Sequence, residues 1–208
     1  MPFRDIVGHR HVLALLARGV SRQSLPPALL LGGPSGVGKR TMAVALAQAL
    51  NCPTPMRGDE RVDACGDCPS CRRIAKGVHP DVVIVEPGDN GSIKIEQIRD
   101  VIDRAQYRPF EGRMRVVIID EADAAGDDAQ SALLKTLEEP PSSSMFVLVS
   151  SMPDALLSTV RSRCPRLRVG PLTTAEVVDV LVRRHGYEEP AARAAAADAD
   201  GSIGLALQ

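Results

Sequence analysis

The sequence predicts an α/β fold in which helices cover a parallel sheet, followed by a small all-helical region. Up to about Gly170, short apolar runs alternate with helical segments, which favours strand–helix–strand units. The runs are apolar on both faces, as in parallel strands that are buried on both sides. A glycine-rich loop between the first run and the next helix fits the same order.

Four strands are predicted from continuous apolar runs, and the helices from apolar spacing or from Ala and Leu enrichment. The strands are Ala28–Leu31, Asp81–Glu86, Met114–Ile119 and Met145–Ser150. The helices are His9–Val20, Thr41–Leu50, Ile95–Gln106 and Asp127–Leu137. Each of the last three helices follows a strand, as crossover helices do.

After Gly170 the predicted helices follow one another without strands. They cover Thr173–His185 and Pro190–Asp198, and a third is expected near Ser202. Thr173 or Thr174 with Glu176 close behind is typical of a helix N-terminus. We therefore expect a nucleotide-binding domain over 1–169 and a helical lid over 170–208. The chain stops inside a helical pattern, so we expect it to be part of a longer protein.

Composition narrows the class of protein. Hydrophobic residues make up 44% of the 208 residues, but only five are aromatic, so the core is expected to be aliphatic. The net charge of −1 argues against indiscriminate nucleic-acid binding. The sequence has neither a bilayer-length apolar run nor a signal-peptide apolar region, so we expect a cytoplasmic protein without a membrane partner.

The glycine loop fits the G-x-x-x-x-G-K core of a Walker A motif. It consists of Gly33, Pro34, Ser35, Gly36, Val37, Gly38 and Lys39. Glycines let successive backbone N–H groups point at phosphate oxygens, and Lys39 supplies a positive charge. We expect ATP or ADP with Mg²⁺ here; the alternative is an ordinary Gly-rich turn.

One position departs from that motif. The residue after the lysine is ordinarily Ser or Thr, whose hydroxyl binds Mg²⁺. Here it is Arg40, and Thr41 follows one place later, about 100° further round the helix. We expect nucleotide binding to survive at this loop and metal coordination to be weakened.

The strand at Met114–Ile119 ends in carboxylates, as a Walker B motif does. Asp120 is placed to hold Mg²⁺ and Glu121 to polarise the attacking water. The alternative is that these acidic residues cap the next segment.

Four cysteines follow the glycine-loop helix with the spacing C-x12-C-x2-C-x2-C. They are Cys52, Cys65, Cys68 and Cys71. Four thiolates complete a tetrahedral Zn²⁺ site and leave no open position, which predicts a structural zinc module over about 52–71. Disulfides or free thiols are the alternative. Cys164 lies far away and is interpreted as a small buried residue.

In this order, the motifs resemble the clamp-loader subunits of bacterial DNA polymerase III, which belong to the AAA+ family. The most specific segments are A-L-L-K-T-L-E-E-P-P at 132–141 and Ser-Arg-Cys at 162–164. The resemblance also places Val7-Gly8-His9 beside the adenine and Ser151 at the sensor 1 position. It implies that Arg163 is an arginine finger that reaches the ATP of a neighbouring subunit.

The resemblance further implies a role in DNA replication. The partners would be tau/gamma and delta subunits, with the sliding clamp and primed DNA contacted through the assembly. In this family a C-terminal collar domain drives hetero-oligomer formation. That domain would be absent here, so this chain alone is expected to be monomeric.

Two kinds of zinc-bearing subunit fit the motifs. The tau/gamma type hydrolyses ATP, and the delta′ type is often catalytically silent. The chain has Gly201-Ser202-Ile203-Gly204 where the tau/gamma pattern is Gly-Ser-Leu-Arg, so the sensor 2 arginine is missing. With Arg40, this favours delta′ and weak or absent ATPase activity within the DNA-directed DNA polymerase holoenzyme. Lys39, Asp120 and Glu121 keep the tau/gamma alternative open; a helicase loader or repair ATPase is more remote.

A DNA-contacting surface is expected where Ser92-Ile93-Lys94 opens a helix. Helix N-termini and basic side chains bind phosphates. The helix continues through Arg99, and three further arginines would extend this surface: Arg104, Arg108 and Arg113. The alternative for each residue is a solvated position with scattered charge.

Overall fold

The computed structural model describes residues 1–58 and 61–208. The strands are β1 Ala28–Gly32, β2 Met56–Arg57, β3 Val62–Asp63, β4 Val82–Val85, β5 Arg115–Ile119, β6 Ser144–Ser150 and β7 Arg166–Arg168. The α-helices are α1 Arg10–Arg22, α2 Lys39–Asn51, α3 Pro69–Ala75, α4 Ile95–Ala105, α5 Asp127–Glu138, α6 Ser158–Arg161, α7 Thr174–His185, α8 Glu189–Ala197 and α9 Ile203–Ala206.

Five strands form one parallel sheet in the order β4-β5-β6-β1-β7. The α/β class and all four predicted strands are confirmed. The fifth strand, β7, was not predicted, because Arg-Leu-Arg offers only one apolar side chain. Leu167 is half-buried between two exposed arginines, as fits the last strand at a sheet edge.

Helices cover both faces of the sheet. On one face, Leu16 of α1 and Met42 and Leu46 of α2 pack against Leu31 and Val147. On the other face, α4 and α5 pack on the sheet around Phe146. The core is predominantly aliphatic as predicted, since Phe3 and Phe146 are its only aromatic members among the described residues.

The segment after α2 contains more regular structure than its sequence suggests. The two-residue strands β2 and β3 pair in an antiparallel hairpin, and helix α3 follows. Residues 59 and 60 of the predicted zinc module lie outside the described residues.

Helices α7, α8 and α9 share a small core of their own, centred on Val177, Leu181 and Ala192. Thr173 caps α7 as predicted: its hydroxyl accepts the N–H of Glu176 at 3.3 Å, and Glu176 accepts the N–H of Thr173 at 2.8 Å. Among the described residues, no helix combines the length and apolar character needed to cross a membrane.

Candidate nucleotide and metal sites

The glycine loop joins β1 to α2 at the carboxyl end of the sheet. Gly36 and Gly38 have φ values of 72° and 98°, a region that side chains other than glycine rarely adopt. A ring nitrogen of His9, Nε2, lies 2.9 Å from the carbonyl oxygen of Val37. The loop lines a cavity of about 260 Å³, called the P-loop cavity below.

The P-loop cavity gathers most of the predicted nucleotide-binding residues. Its lining consists of Ser35, Gly36, Gly38, Lys39, Arg40, Thr41, Asp120, Glu121, Val149 and Ser151. A larger cavity of about 710 Å³ lies beside Val7 and Gly8, between the N-terminal segment and α7, and includes no residue of the glycine loop. The larger cavity is therefore not the one that contains the glycine loop, and cavity volume alone does not identify the candidate phosphate site.

Lys39 lies across the mouth of the glycine loop. Its Nζ donates to the carbonyls of Gly33 and Pro34 at 2.7 and 2.5 Å and to Ser151 Oγ at 3.2 Å. Burial lowers the pKa of Lys39, and the nearby carboxylates partly oppose that shift. The contact with Ser151 joins β6 to the loop, so the predicted sensor 1 residue belongs to the same cluster.

Asp120 and Glu121 follow β5, the strand expected to end in one metal-binding and one catalytic carboxylate. Glu121 has a φ of 48°, an uncommon conformation that is often found at functional sites. Its backbone N–H donates to Asp120 Oδ1 at 3.1 Å. Burial raises the pKa of Asp120, and the charge of Arg40 acts in the opposite direction. The two carboxylates are thus held at the rim of the cavity.

Arg40 crosses from α2 to the ends of two neighbouring strands. It forms ion pairs with Glu86 after β4 and with Asp120 after β5, the latter at 3.5 Å. Sequence reasoning did not single out Glu86. The available signal was its position at the carboxyl end of a predicted strand, the same position that Asp120 occupies.

Arg163 lies in the turn between α6 and β7, outside the lining of the P-loop cavity. Its guanidinium donates to the carbonyl of Thr159 at 2.7 Å and forms an ion pair with Glu138 of α5. Its side chain is 31% exposed. Arg163 and its partners Thr159 and Glu138 are called the Arg163 corner below.

The four clustered cysteines converge as predicted, and their sulfurs lie within 4.8 Å of one another. The Sγ atoms of Cys52 and Cys65 are 3.5 Å apart, and two further pairs are 4.0 Å apart. A tetrahedral ion with Zn–S bonds of about 2.3 Å would space its sulfurs by about 3.8 Å. The cluster could therefore hold a zinc ion.

Backbone N–H groups also point at these sulfurs. The N–H groups of Cys65, Cys68 and Cys71 donate to the sulfurs of Cys52, Cys65 and Cys68, respectively, at 3.3–3.4 Å. Burial raises the pKa of Cys65, but hydrogen bonds from Thr54 and the backbone outweigh it and lower the pKa to about 6. Such bonds favour the thiolate at Cys65, whereas burial raises the pKa of Cys68 and Cys71. Cys164 is buried in the core, as predicted.

The cysteine cluster is attached to the end of α2. Gln48 donates to the carbonyl of Cys71 at 2.7 Å, and Arg113 donates to the carbonyl of Cys52. From the other side, Arg4 donates to the carbonyls of Ala64 and Cys65 at 2.6 and 2.7 Å. The helix that begins in the glycine loop therefore ends in the cysteine cluster.

A buried aspartate braces the loop between α4 and β5. Asp81, predicted as part of a strand, lies just before β4 and accepts the N–H groups of Phe110, Glu111 and Gly112 at 2.6–2.9 Å. It also pairs with Arg115 at 3.2 Å. Sequence reasoning missed this role because the partners lie about thirty residues away in the chain.

The residues expected to contact DNA are distributed over α4 and the loop after it. The backbone N–H of Lys94 donates to Gln97 at 2.9 Å at the start of α4, and Arg104 pairs with Asp100 at 3.0 Å. Arg113 is engaged with the carbonyl of Cys52. Two of the expected basic side chains, Arg104 and Arg113, are therefore already engaged in contacts within the protein. Arg99 and Arg108 are exposed.

The family model described as DNA polymerase III, delta subunit, matches residues 8–173. The DNA polymerase III subunit tau of Salmonella typhimurium is 37% identical over 99% of this chain and 32% of its own length. The delta′ subunit of Pseudomonas aeruginosa is 38% identical over 79% of this chain and 49% of its own length. The chain thus spans about a third of the one relative and about half of the other.

Solved structures support the fold. A DNA polymerase III gamma subunit-related protein from Thermotoga maritima superimposes with a TM-score of 0.58 at 23% identity, covering 79% of this chain and 47% of its own. The RuvB Holliday junction branch migration motor of the same organism gives 0.62 at 19% identity, covering 97% and 60%. The family match and the tau and delta′ relatives show that the chain belongs to the DNA polymerase III delta subunit family.

Proposed function

We propose that the chain acts in DNA replication as a delta′-like subunit of a DNA polymerase III clamp loader. It braces the assembly that places the sliding clamp on primed DNA, and it offers Arg163 to the ATP of a neighbouring subunit. The observation that carries this proposal is the location of the Arg163 corner, which lies outside the cavity that the chain's own glycine loop lines. The Arg163 side chain is 31% exposed there, so a partner could reach it once its contact with Glu138 is released.

The close contact between the lid and the glycine loop supports the delta′ type. The N–H of Gly204 donates to the carbonyl of Gly36 at 3.1 Å. A Cβ atom added at position 204 would lie 2.9 Å from the Cα atom of Gly36, closer than van der Waals contact permits. The sensor 2 arginine of the tau/gamma pattern therefore has no room at Gly204 in this arrangement.

The remaining site assignments belong to the same proposal. Cys52, Cys65, Cys68 and Cys71 hold a structural zinc ion, which stabilises a segment that has little apolar core of its own. Residues 1–169 form the nucleotide-binding domain and 170–208 the lid. Primed DNA is contacted mainly by the assembly, since this chain carries a net charge of −1, and the setting is the bacterial cytoplasm.

The second candidate is a tau/gamma-like subunit that hydrolyses ATP itself. Lys39, Asp120 and Glu121 line one cavity, and the tau relative is similar over nearly the whole chain. Arg40 and Gly204 weigh against this candidate because both replace side chains that an ATP-driven subunit uses.

The Arg163→Ala variant tests the proposal in the reconstituted clamp loader. We expect slower ATP hydrolysis at the site that faces this chain and unchanged nucleotide affinity of the chain itself. Arg161→Ala is the matched control, because Arg161 lies two residues away and pairs with Asp154 at 2.9 Å. Loss of the chain's own nucleotide affinity with no effect on its neighbour would refute the role in trans.

A further inference from the structure

The magnesium site that the AAA+ fold implies does not fit the residues around Arg40. In the Walker A pattern the side chain after the lysine supplies a hydroxyl ligand to the ion. Here that position carries a guanidinium, which lies 3.5 Å from Asp120, the carboxylate expected to hold the same ion. A second carboxylate, Glu86, pairs with the same Arg40 nitrogen.

Mg²⁺ requires near-octahedral oxygen ligands at about 2.0–2.1 Å. An ion at Asp120 would therefore stand within a few ångströms of the Arg40 guanidinium, which remains charged at all ordinary pH values. The two cations repel each other, and the ion finds no hydroxyl ligand at position 40. Thr41 lines the cavity, but it lies about 100° further round α2 than the usual ligand.

We propose that Arg40 takes the place of Mg²⁺, so that this site binds nucleoside diphosphates and triphosphates without a divalent metal. The inference rests on the nucleotide-binding part of the proposed function and is independent of the role of Arg163. It assigns Arg40 as the residue that decides the metal requirement of the site.

The remaining groups of the cavity suit a phosphate chain without a metal. Lys39 and Arg40 are adjacent in the first turn of α2 and line one cavity. A guanidinium presents several N–H donors in a plane that matches phosphate oxygens, and its hydrogen bonds to phosphate are charge-assisted. Glu86 and Asp120 hold Arg40 from two strands, so its position does not depend on the nucleotide.

The test measures the Kd of the purified protein for a fluorescent N-methylanthraniloyl ADP, in excess Mg²⁺ and in a buffer freed of divalent metal by a resin before the protein is added, so that no chelator reaches the cysteine cluster. For the unaltered protein we expect the two values to agree within about twofold. Arg40→Ser restores a hydroxyl and removes the competing charge, so we expect binding at least tenfold tighter with Mg²⁺ than in the metal-free buffer. Arg40 is half exposed, so the substitution leaves the core intact.

Arg193→Ser is the matched control. Arg193 is an exposed helical arginine that also holds an ion pair, with Glu189 at 2.6 Å, and its removal should leave both Kd values unchanged. Binding by the unaltered protein that tightens tenfold or more with Mg²⁺ would overturn the inference. So would the absence of saturable binding in both buffers, or an Arg40→Ser variant indifferent to the metal. None of these results bears on whether Arg163 acts on a neighbour.

Discussion

The P-loop cavity and the Arg163 corner differ in how many of the side chains expected from the motifs are present. The cavity retains Lys39, Asp120 and Glu121, but Arg40 stands where the Walker A pattern has a hydroxyl, and Gly204 stands where the tau/gamma pattern has an arginine. At the corner, Arg163 is present and held by Glu138 and Thr159. If the proposed function is correct, a Walker A motif persists here in a subunit that contributes its catalytic arginine at another surface.

Removal of zinc is expected to lower the free energy of unfolding more than any other change considered below. It should also raise hydrogen exchange in the helix that begins at the P-loop cavity. An ion present at about a thousandfold its Kd stabilises a fold by about 4 kcal/mol, so under that condition a strong chelator should lower the free energy of unfolding by about the same amount. Because Cys52 directly follows α2, hydrogen exchange should rise in α2 and stay low in β6. Denaturant unfolding with exchange mass spectrometry measures both.

The control for the zinc experiment is Cys164→Ala. Cys164 is buried in the opposite face of the sheet, away from the cysteine cluster, so its replacement should leave zinc content unchanged. Elemental analysis that finds well below one zinc per chain, with the cysteines unmodified, would contradict the zinc assignment.

Replacement of Asp81 is the next largest perturbation. Asp81→Ala leaves three N–H groups without their acceptor and Arg115 without its carboxylate partner, and loss of one partner of a buried ion pair costs about 3 kcal/mol. The substitution should lower the midpoint of denaturant unfolding, whereas Asp89→Ala, in the exposed loop after β4, should not. Equal midpoints for the two variants would show that Asp81 does not brace the fold.

Asp81 also predicts the direction of the pH dependence. Burial tends to raise its pKa, but the three backbone N–H groups and Arg115 outweigh this and hold the pKa below its ordinary value. A carboxyl with a depressed folded pKa stabilises the fold above its unfolded pKa of about 3.9, and the gain is lost as the pH falls towards the folded pKa. The loss of stability below about pH 4 should therefore be shallower in Asp81→Ala.

Disruption of the contact between Gly204 and the glycine loop is expected to lower the free energy of unfolding by a smaller amount. Gly204→Arg forces a side chain against the backbone of Gly36, and overpacking of this kind costs about 2 kcal/mol. Gly170→Arg is the control, because an added Cβ there meets no atom within 4 Å. A Gly204→Arg variant that loses no stability and binds nucleotide more tightly would favour the tau/gamma type instead.

Most of the candidate site residues could be predicted from the sequence, because the motifs that contain them are local. The glycine loop, the Cys spacing and the apolar strand before Asp120 each lie within a short segment, and the structure brings their residues together as expected. The contacts that position Arg40 are long-range. The pairing of Arg40 with Glu86 and Asp120 requires that β4 and β5 be neighbours, and a strand order cannot be inferred from apolar runs alone.

Physical reasons also explain why some strands and one contact were not predicted from the sequence. The two residues each of β2 and β3 are too few to show alternation, and β7 carries arginines on both sides of one leucine. The Gly36–Gly204 contact involves two residues without side chains, so residue type gives no hint of it.

The most direct test of the central claim compares Lys39→Ala with Arg163→Ala in the reconstituted clamp loader. Single-turnover ATP hydrolysis is measured at the site that faces this chain. An arginine finger contributes about 10³-fold or more to such a reaction, so Arg163→Ala should slow it by about that factor, and Lys39→Ala should leave it nearly unchanged. Loss of hydrolysis in Lys39→Ala with normal hydrolysis in Arg163→Ala would contradict the account.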